Sequence, residues 1–151
     1  MDLILWRHAE AEESNADDLR RRLTSKGRKQ AARGAEWLLQ RLPARFTLIA
    51  SPATRAHQTA LALGVPIKAD QALSPGATPK SIIAACGWPQ SKGAVVVVGH
   101  QPDLGRALAQ LVCGASSAWS IKKGAFWWIS NRVRDGDAQV VVRAVVSPDL
   151  L

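Results

Sequence analysis

The chain has 151 residues, 47% of them hydrophobic, and carries 20 lysines and arginines against 12 aspartates and glutamates, for a formal charge of +8. That size and apolar content predict one domain spanning 1–151 with a buried core, and they exclude intrinsic disorder. No apolar run approaches the roughly 20 residues of a membrane helix, and the stretch from Met1 to Trp6 lacks the form of a signal peptide, so no membrane contact and a cytoplasmic location are expected.

In chain order, Leu3 to Arg7 reads as a short buried strand, followed by a polar loop, Glu10 to Arg20, that carries five acids. Thr24 or Ser25 caps a helix running to about Leu42, with Ala31, Ala35, Leu38, Leu39 and Leu42 on one face and Pro43 as its stop. Phe46 to Ala50 reads as a second strand. Ser51-Pro52 opens the next helix, with proline in its first turn, and Gly64 closes it. The middle, Val65 to Ser91, holds one short helix near Thr78 to Cys86. Ala94 to Val98 is an unbroken apolar run suited to the centre of a parallel sheet. His100-Gln101-Pro102-Asp103 leads into a helix with Leu104, Ala107, Leu108, Leu111 and Val112 on one face and Gly114 as its stop. Ala125 to Arg134 and Ala138 to Val146 read as a hairpin turning at Asp135-Gly136. The expected fold class is α/β: a three-layer sandwich whose mostly parallel central sheet has helices on both faces.

Two of the three histidines, His8 and His100, follow strands at equivalent places. In an open α/β sheet, ligands bind beyond the carboxyl ends of the strands, so both imidazoles can face one crevice. A single histidine after a strand is more often structural; two at matching ends carry more weight. Arg7 precedes His8, Arg55 sits in the first turn of the helix after the second strand, and Arg21 is a third candidate. Guanidinium groups bind phosphate oxygens with paired hydrogen bonds, and helix N-termini after Ser51 and His100 add N–H donors. A phosphoryl group is the natural occupant. Against this, Arg20-Arg21-Arg22 with Lys26, Arg28 and Lys29 also reads as a solvated basic face. His57 is taken as a surface or supporting residue. The six tryptophans read as core and pocket-rim packing, and Cys86 and Cys113 as reduced core thiols.

Other phosphate chemistries lack their residues. There is no G-x-x-x-x-G-K-[ST] loop, neither cysteine has an arginine six residues on, and Asp135-Gly136-Asp137 lies in a hairpin turn. No clustered ligands suggest a two-metal site. Neither a metal nor any other cofactor is expected, and histidine remains as the nucleophile.

Four blocks together resemble the histidine phosphatase superfamily, with its phosphoglycerate-mutase-like fold. Leu5-Trp6-Arg7-His8-Ala9 is similar to its R-H-G signature, with alanine in place of glycine. Arg21-Arg22-Leu23-Thr24 with Gly27 is similar to R-x-L-T-x-x-G, Ser51-Pro52 through Gln58-Thr59 to S-P-x-x-R-A-x-Q-T, and Val98-Gly99-His100-Gln101-Pro102 to V-[GS]-H-x-P. The short chain is most similar to the small bacterial phosphohistidine phosphatases of the SixA type. The resemblance implies that His8 becomes phosphorylated, that Arg7 and Arg55, with Arg21 as a helper, hold the phosphoryl oxygens, and that His100 donates to the same group.

One departure stands out. Larger members carry an acid in the middle segment, whereas Leu73 to Thr78 has no carboxylate; Asp70 falls too early, and Glu10 or Glu12 in the first loop are substitutes without special standing. An imidazole leaving group accepts a proton near neutral pH and departs without an enzymic acid, unlike an alkoxide. The expected substrate is therefore a phosphorylated protein, such as a histidine phosphotransfer-type domain, met by the basic surface. A small phosphomonoester is the alternative substrate, and a basic nucleic-acid-binding or scaffold module with an idle pocket is the rival from another class. No nucleic-acid partner is expected, and a monomer is the default.

Overall fold

The computed structural model describes residues 1–13 and 16–151. Strands β1 (Asp2–Arg7), β2 (Phe46–Ala50), β3 (Lys68–Ala69), β4 (Ala94–Gly99), β5 (Phe126–Arg134) and β6 (Asp137–Val146) form one sheet in the order β3-β2-β4-β1-β5-β6. The first four run parallel; β5 pairs antiparallel with β1, and β6 antiparallel with β5. The last two strands form the expected hairpin. Its two-residue loop places both Asp135 (φ 53°) and Gly136 (φ 84°) in the left-handed region, which matches the twist of the flanking strands.

Alternation along the central strands builds two cores. Ile4 and Trp6 of β1 and Val96 and Val98 of β4 pack with α1 (Ser25–Leu39) and α2 (Thr54–Leu61). Leu3, Leu5, Val95 and Val97 point the other way, against α3 (Pro79–Cys86) and α4 (Asp103–Cys113). The result is the expected three-layer α/β sandwich. All six residues of β4 are buried, as a strand covered on both faces requires. Trp6, fully buried, donates its indole N–H to the Gly124 carbonyl at 2.9 Å and ties β1 to the loop before β5.

Several boundaries differ from expectation. The first helix ends at Leu39, and Gln40 to Leu42 continue as a turn in which Leu42 N–H still reaches the Leu38 carbonyl. Pro43 disfavours helical backbone at the residue before it. Pro52 is not in the first turn of α2: it precedes the N-cap, Ala53, because Ser51 accepts a hydrogen bond from the Ala53 N–H and holds the chain in a bend first. The two-residue edge strand β3 is too short to leave a sequence pattern. Cys86 is a buried free thiol, but Cys113 is exposed, since it ends α4 at the outward Gly114 cap. Of the expected Glu10–Arg20 loop, Ser14 and Asn15 lie outside the described residues; Asp18–Arg20 forms a single 3-10 turn.

The entry to α1 explains one glycine. Thr24 caps the helix by accepting from Gly27 N–H at 2.9 Å, and its own N–H donates to the Glu10 carbonyl. A Cβ on Gly27 would lie 1.9 Å from that carbonyl oxygen, so only glycine lets the helix start lie against the backbone that follows β1. Gly27→Ala, which normally favours a helix by about 1 kcal/mol, is expected instead to destabilise by about 2 kcal/mol or more through this overlap. Urea midpoints of the two proteins give the sign directly.

Candidate active site

Three parallel strands end side by side, with Arg7 opposite Gly99 and Ala50 opposite Val98 in register. The residues just beyond them are His8, Ser51 and His100. His8 is pinned on both sides of its backbone: its N–H donates to the Gly99 carbonyl, and its carbonyl accepts from Gly124 N–H. The two imidazole rings lie 5.3 Å apart, and both are buried.

The His8 tautomer follows from its neighbour. Nδ1 sits 2.7 Å from the Ala9 carbonyl oxygen, which can only accept, so Nδ1 carries the proton and Nε2 keeps its lone pair. Arg55 Nε–H donates to that same Nε2 at 3.3 Å. For His100, Nε2 lies 2.8 Å from Ser51 Oγ, while Nδ1 is buried without a partner. Ser51 Oγ accepts the Ala53 N–H and, with a second lone pair and its own hydrogen, can pair with either tautomer of His100. A proton on His100 Nδ1 would give that buried, unpartnered atom a donor to offer the cleft.

Arg7, Arg21, Arg55, His8 and His100, the residues singled out from the sequence, line one cleft of about 440 Å³. Arg55 is almost wholly buried; its guanidinium donates to the Asp18 carbonyl oxygen at 2.7 Å and to Asp18 Oδ2 at 3.1 Å. Arg21 turns inward, donating to the Glu12 carbonyl and to Asp18 Oδ1, while Arg20 and Arg22 remain exposed. The basic run is therefore a solvated face except at Arg21. Arg7 donates to the Ile121 carbonyl at 2.7 Å and leaves Nε buried and unpaired. Five buried side-chain nitrogen or oxygen atoms lack a partner among the described residues, and Arg7 Nε, His100 Nδ1 and Gln101 Oε1 belong to the cleft lining. Unpaired buried polar groups concentrated at one place mark a site built for a polar ligand. The starts of α2 and α4 also lack a side-chain cap, whereas α1 and α3 are capped by Thr24 and Thr78.

Several positioning residues carried no assigned role in the sequence. Thr59 Oγ1 accepts the Ala9 N–H and donates to the Arg55 carbonyl, joining the first and third blocks. Gln58 accepts the Leu23 N–H at 2.8 Å, joining the third to the second. Asp103, buried on the first turn of α4, accepts from Gly76 N–H and is a carboxylate in the cleft lining. Asp18 and Asp103 were legible only as members of a loop and a helix start. Glu10 instead accepts from Thr24 and pairs with Lys26, and Glu12 is exposed; neither lines the cleft, and Asp70 caps the turn at Ala72. Among the described residues, no group of three or more His, Cys, Asp or Glu side chains is placed to hold a metal ion, and no helix is long and apolar enough to cross a membrane.

The family model of the histidine phosphatase superfamily (branch 1) matches residues 3–75, which contain three of the four blocks, and the fourth delivers His100 to the same cleft. Over residues 3–75 the chain is similar to the histidine phosphatase superfamily. The fold over the whole chain is shared with solved phosphatases. A protein from Nakamurella multipartitia assigned as a phosphohistidine phosphatase SixA is 25% identical, with a TM-score of 0.80 over 97% of this chain and 95% of that one. The protein histidine phosphatase SixA complexed with tungstate is 23% identical, with a TM-score of 0.79 over 99% of each chain. A mycobacterial glucosyl-3-phosphoglycerate phosphatase shares the fold at 18% identity, with a TM-score of 0.70 over 94% of this chain and 96% of that one. No curated protein sequence matches the chain.

Burial, with Arg55, Arg7 and Arg21 adding to it, lowers His8 from its ordinary 6.5 to about 4, against a smaller opposing pull from the Ala9 carbonyl. Burial followed by Arg55 lowers His100 to about 3. Both imidazoles are thus neutral at neutral pH. The unfolded chain takes up protons as pH falls through 6.5, whereas the folded one does so only near 4 and 3. Stability is therefore whole above pH 6.5 and declines below it, by up to about 1.4 kcal/mol per pH unit for each imidazole. Urea unfolding between pH 7.5 and 4.5 is expected to show a steeper decline for the native chain than for the double variant His8→Ala/His100→Ala, which isolates this contribution from that of the carboxylates.

Proposed function

We propose that this chain is a histidine phosphatase superfamily member and a phosphohistidine phosphatase acting on a phosphorylated protein, through a covalent phosphoryl intermediate on His8. The observation that carries the reading is the tautomer of His8: its Nδ1–H is fixed on the Ala9 carbonyl, and its Nε2 lone pair is directed at Arg55 within a cleft that also holds His100. In the first step Nε2 attacks phosphorus, the P–N bond to the substrate breaks, and the substrate imidazole departs neutral, retaining the proton on its other nitrogen. The positive charge now on the His8 ring rests against the Ala9 carbonyl. Arg7, Arg55 and Arg21 hold the phosphoryl oxygens, and His100, in the tautomer that carries its proton on Nδ1, donates to one of them as the group passes in line. Water then adds to phosphorus, the P–Nε2 bond breaks, and dihydrogen phosphate leaves with both water protons before yielding one to solvent.

Support for a P–N substrate comes from the segment at Pro75 and Gly76, which borders the cleft and brings no carboxylate. His8→Ala is expected to abolish turnover of a phosphohistidine peptide and the trapping of labelled phosphate on the protein under alkaline denaturing conditions. Chelators are expected to leave the native rate unchanged. Turnover by His8→Ala would exclude the mechanism.

One observation favours the second reading, hydrolysis of small phosphomonoesters. Asp103 is a carboxylate in the cleft wall, where a proton donor for an alkoxide leaving group would stand. Such a donor contributes about 10²–10⁴ in rate. Asp103→Asn is expected to leave phosphohistidine hydrolysis within a few-fold of the native rate. A native chain that hydrolyses p-nitrophenyl phosphate far faster than the peptide, with that excess lost in Asp103→Asn, would establish the ester reading instead.

A further inference from the structure

A second concavity, of about 840 Å³, adjoins the cleft and shares Arg7 and Lys123 with it as lining residues. One wall is the exposed face of α1, where Lys26, Lys29 and Arg33 follow one another at helical spacing. The opposite wall is Lys122 and Lys123, in the loop before β5, with Pro148 at the end. Six basic residues line this groove against two acidic ones, and both acids are already engaged: Glu10 with Thr24 and Lys26, and Asp149 with Lys122 and Ser147. Lys29 and Lys123 form no ion pair among the described residues and are exposed.

We infer that this groove is the docking surface for an acidic segment of the phosphorylated protein, next to the residue whose phosphoryl group enters the cleft. The inference rests on the phosphohistidine reading and names the surface that selects the partner. Three observations define the occupant. The groove and the cleft share Arg7 and Lys123 in their linings, so a chain seated in one lies beside the other. Its surplus charge is positive, which attracts and orients an anionic surface. No aromatic side chain lines it, and two carboxylates do, so it lacks the stacking platform of a single-stranded nucleic-acid groove. The aliphatic stems of its lysines supply the apolar contact that a peptide segment needs.

The test uses two synthetic peptides, each with one phosphohistidine, flanked in one by glutamates and in the other by serines. The native chain is expected to favour the glutamate peptide in kcat/KM by about tenfold at low ionic strength, approaching parity as salt shortens the screening length. The double variant Lys29→Glu/Lys122→Glu, at two exposed positions outside the cleft, is expected to lose or invert the preference while hydrolysing the serine peptide at the native rate. Equal native rates on the two peptides, or a preference that survives in the variant, would overturn the groove assignment alone. Hydrolysis of neither peptide would overturn the phosphohistidine reading and this inference with it. Stronger inhibition by a single-stranded oligodeoxynucleotide than by polyglutamate of equal charge would give the groove to nucleic acid and refute the proposal.

Discussion

A neutral imidazole kept beside buried guanidinium groups is the constraint on which the site depends. A nucleophile must retain its lone pair, whereas a phosphoryl pocket must be strongly positive. Those demands agree here because burial first, and then the positive charge of Arg55, Arg7 and Arg21, disfavour protonation of His8. The Ala9 carbonyl completes the arrangement by fixing the remaining proton on Nδ1, away from the reacting atom. Burial costs stability in acid, and it is the means by which the fold sets the charge state of its two histidines.

Holding this arrangement requires that segments far apart in the chain share hydrogen bonds. Thr59 links the turn after β1 to the helix carrying Arg55, and Gln58 links that helix to the segment entering α1. Gly27 lets α1 close against the Glu10 carbonyl. Asp18 binds Arg55 and Arg21 at once, and hydrogen bonds from Arg21 and then Arg55 hold its carboxyl below the ordinary carboxylate range. Asp18 thereby holds both guanidinium groups in place at the cleft. Arg55 has five N–H donors and gives three of them to His8 and Asp18, so donors remain for an incoming oxyanion.

The excess of positive charge is unevenly used. Part of it is drawn into the cleft, where low accessibility makes each interaction strong, and part lies along α1 and the loop before β5, where solvent screens it. The first kind suits chemistry on a phosphoryl group; the second suits orienting an encounter. The two regions meet at Arg7 and Lys123.

The amino-acid order by itself determined the layer architecture, because strands buried on both faces and amphipathic helices leave distinct periodicities. It also determined which residues reach the sheet edge, because His8 and His100 directly follow strands and Arg55 opens a helix. It did not separate Arg21 from its exposed neighbours Arg20 and Arg22, since three consecutive arginines look alike until the loop folds back. Nor did it show Asp103 in the cleft wall, the roles of Ser51, Gln58 and Thr59, or the exposure of Cys113. The roles of Ser51, Gln58 and Thr59 depend on groups brought together across 35 to 50 residues of chain, and that of Asp103 on a contact across 27. Only the tertiary structure decided them, because a side chain's orientation is set by the hydrogen-bond partners that folding places beside it, and no local pattern encodes these.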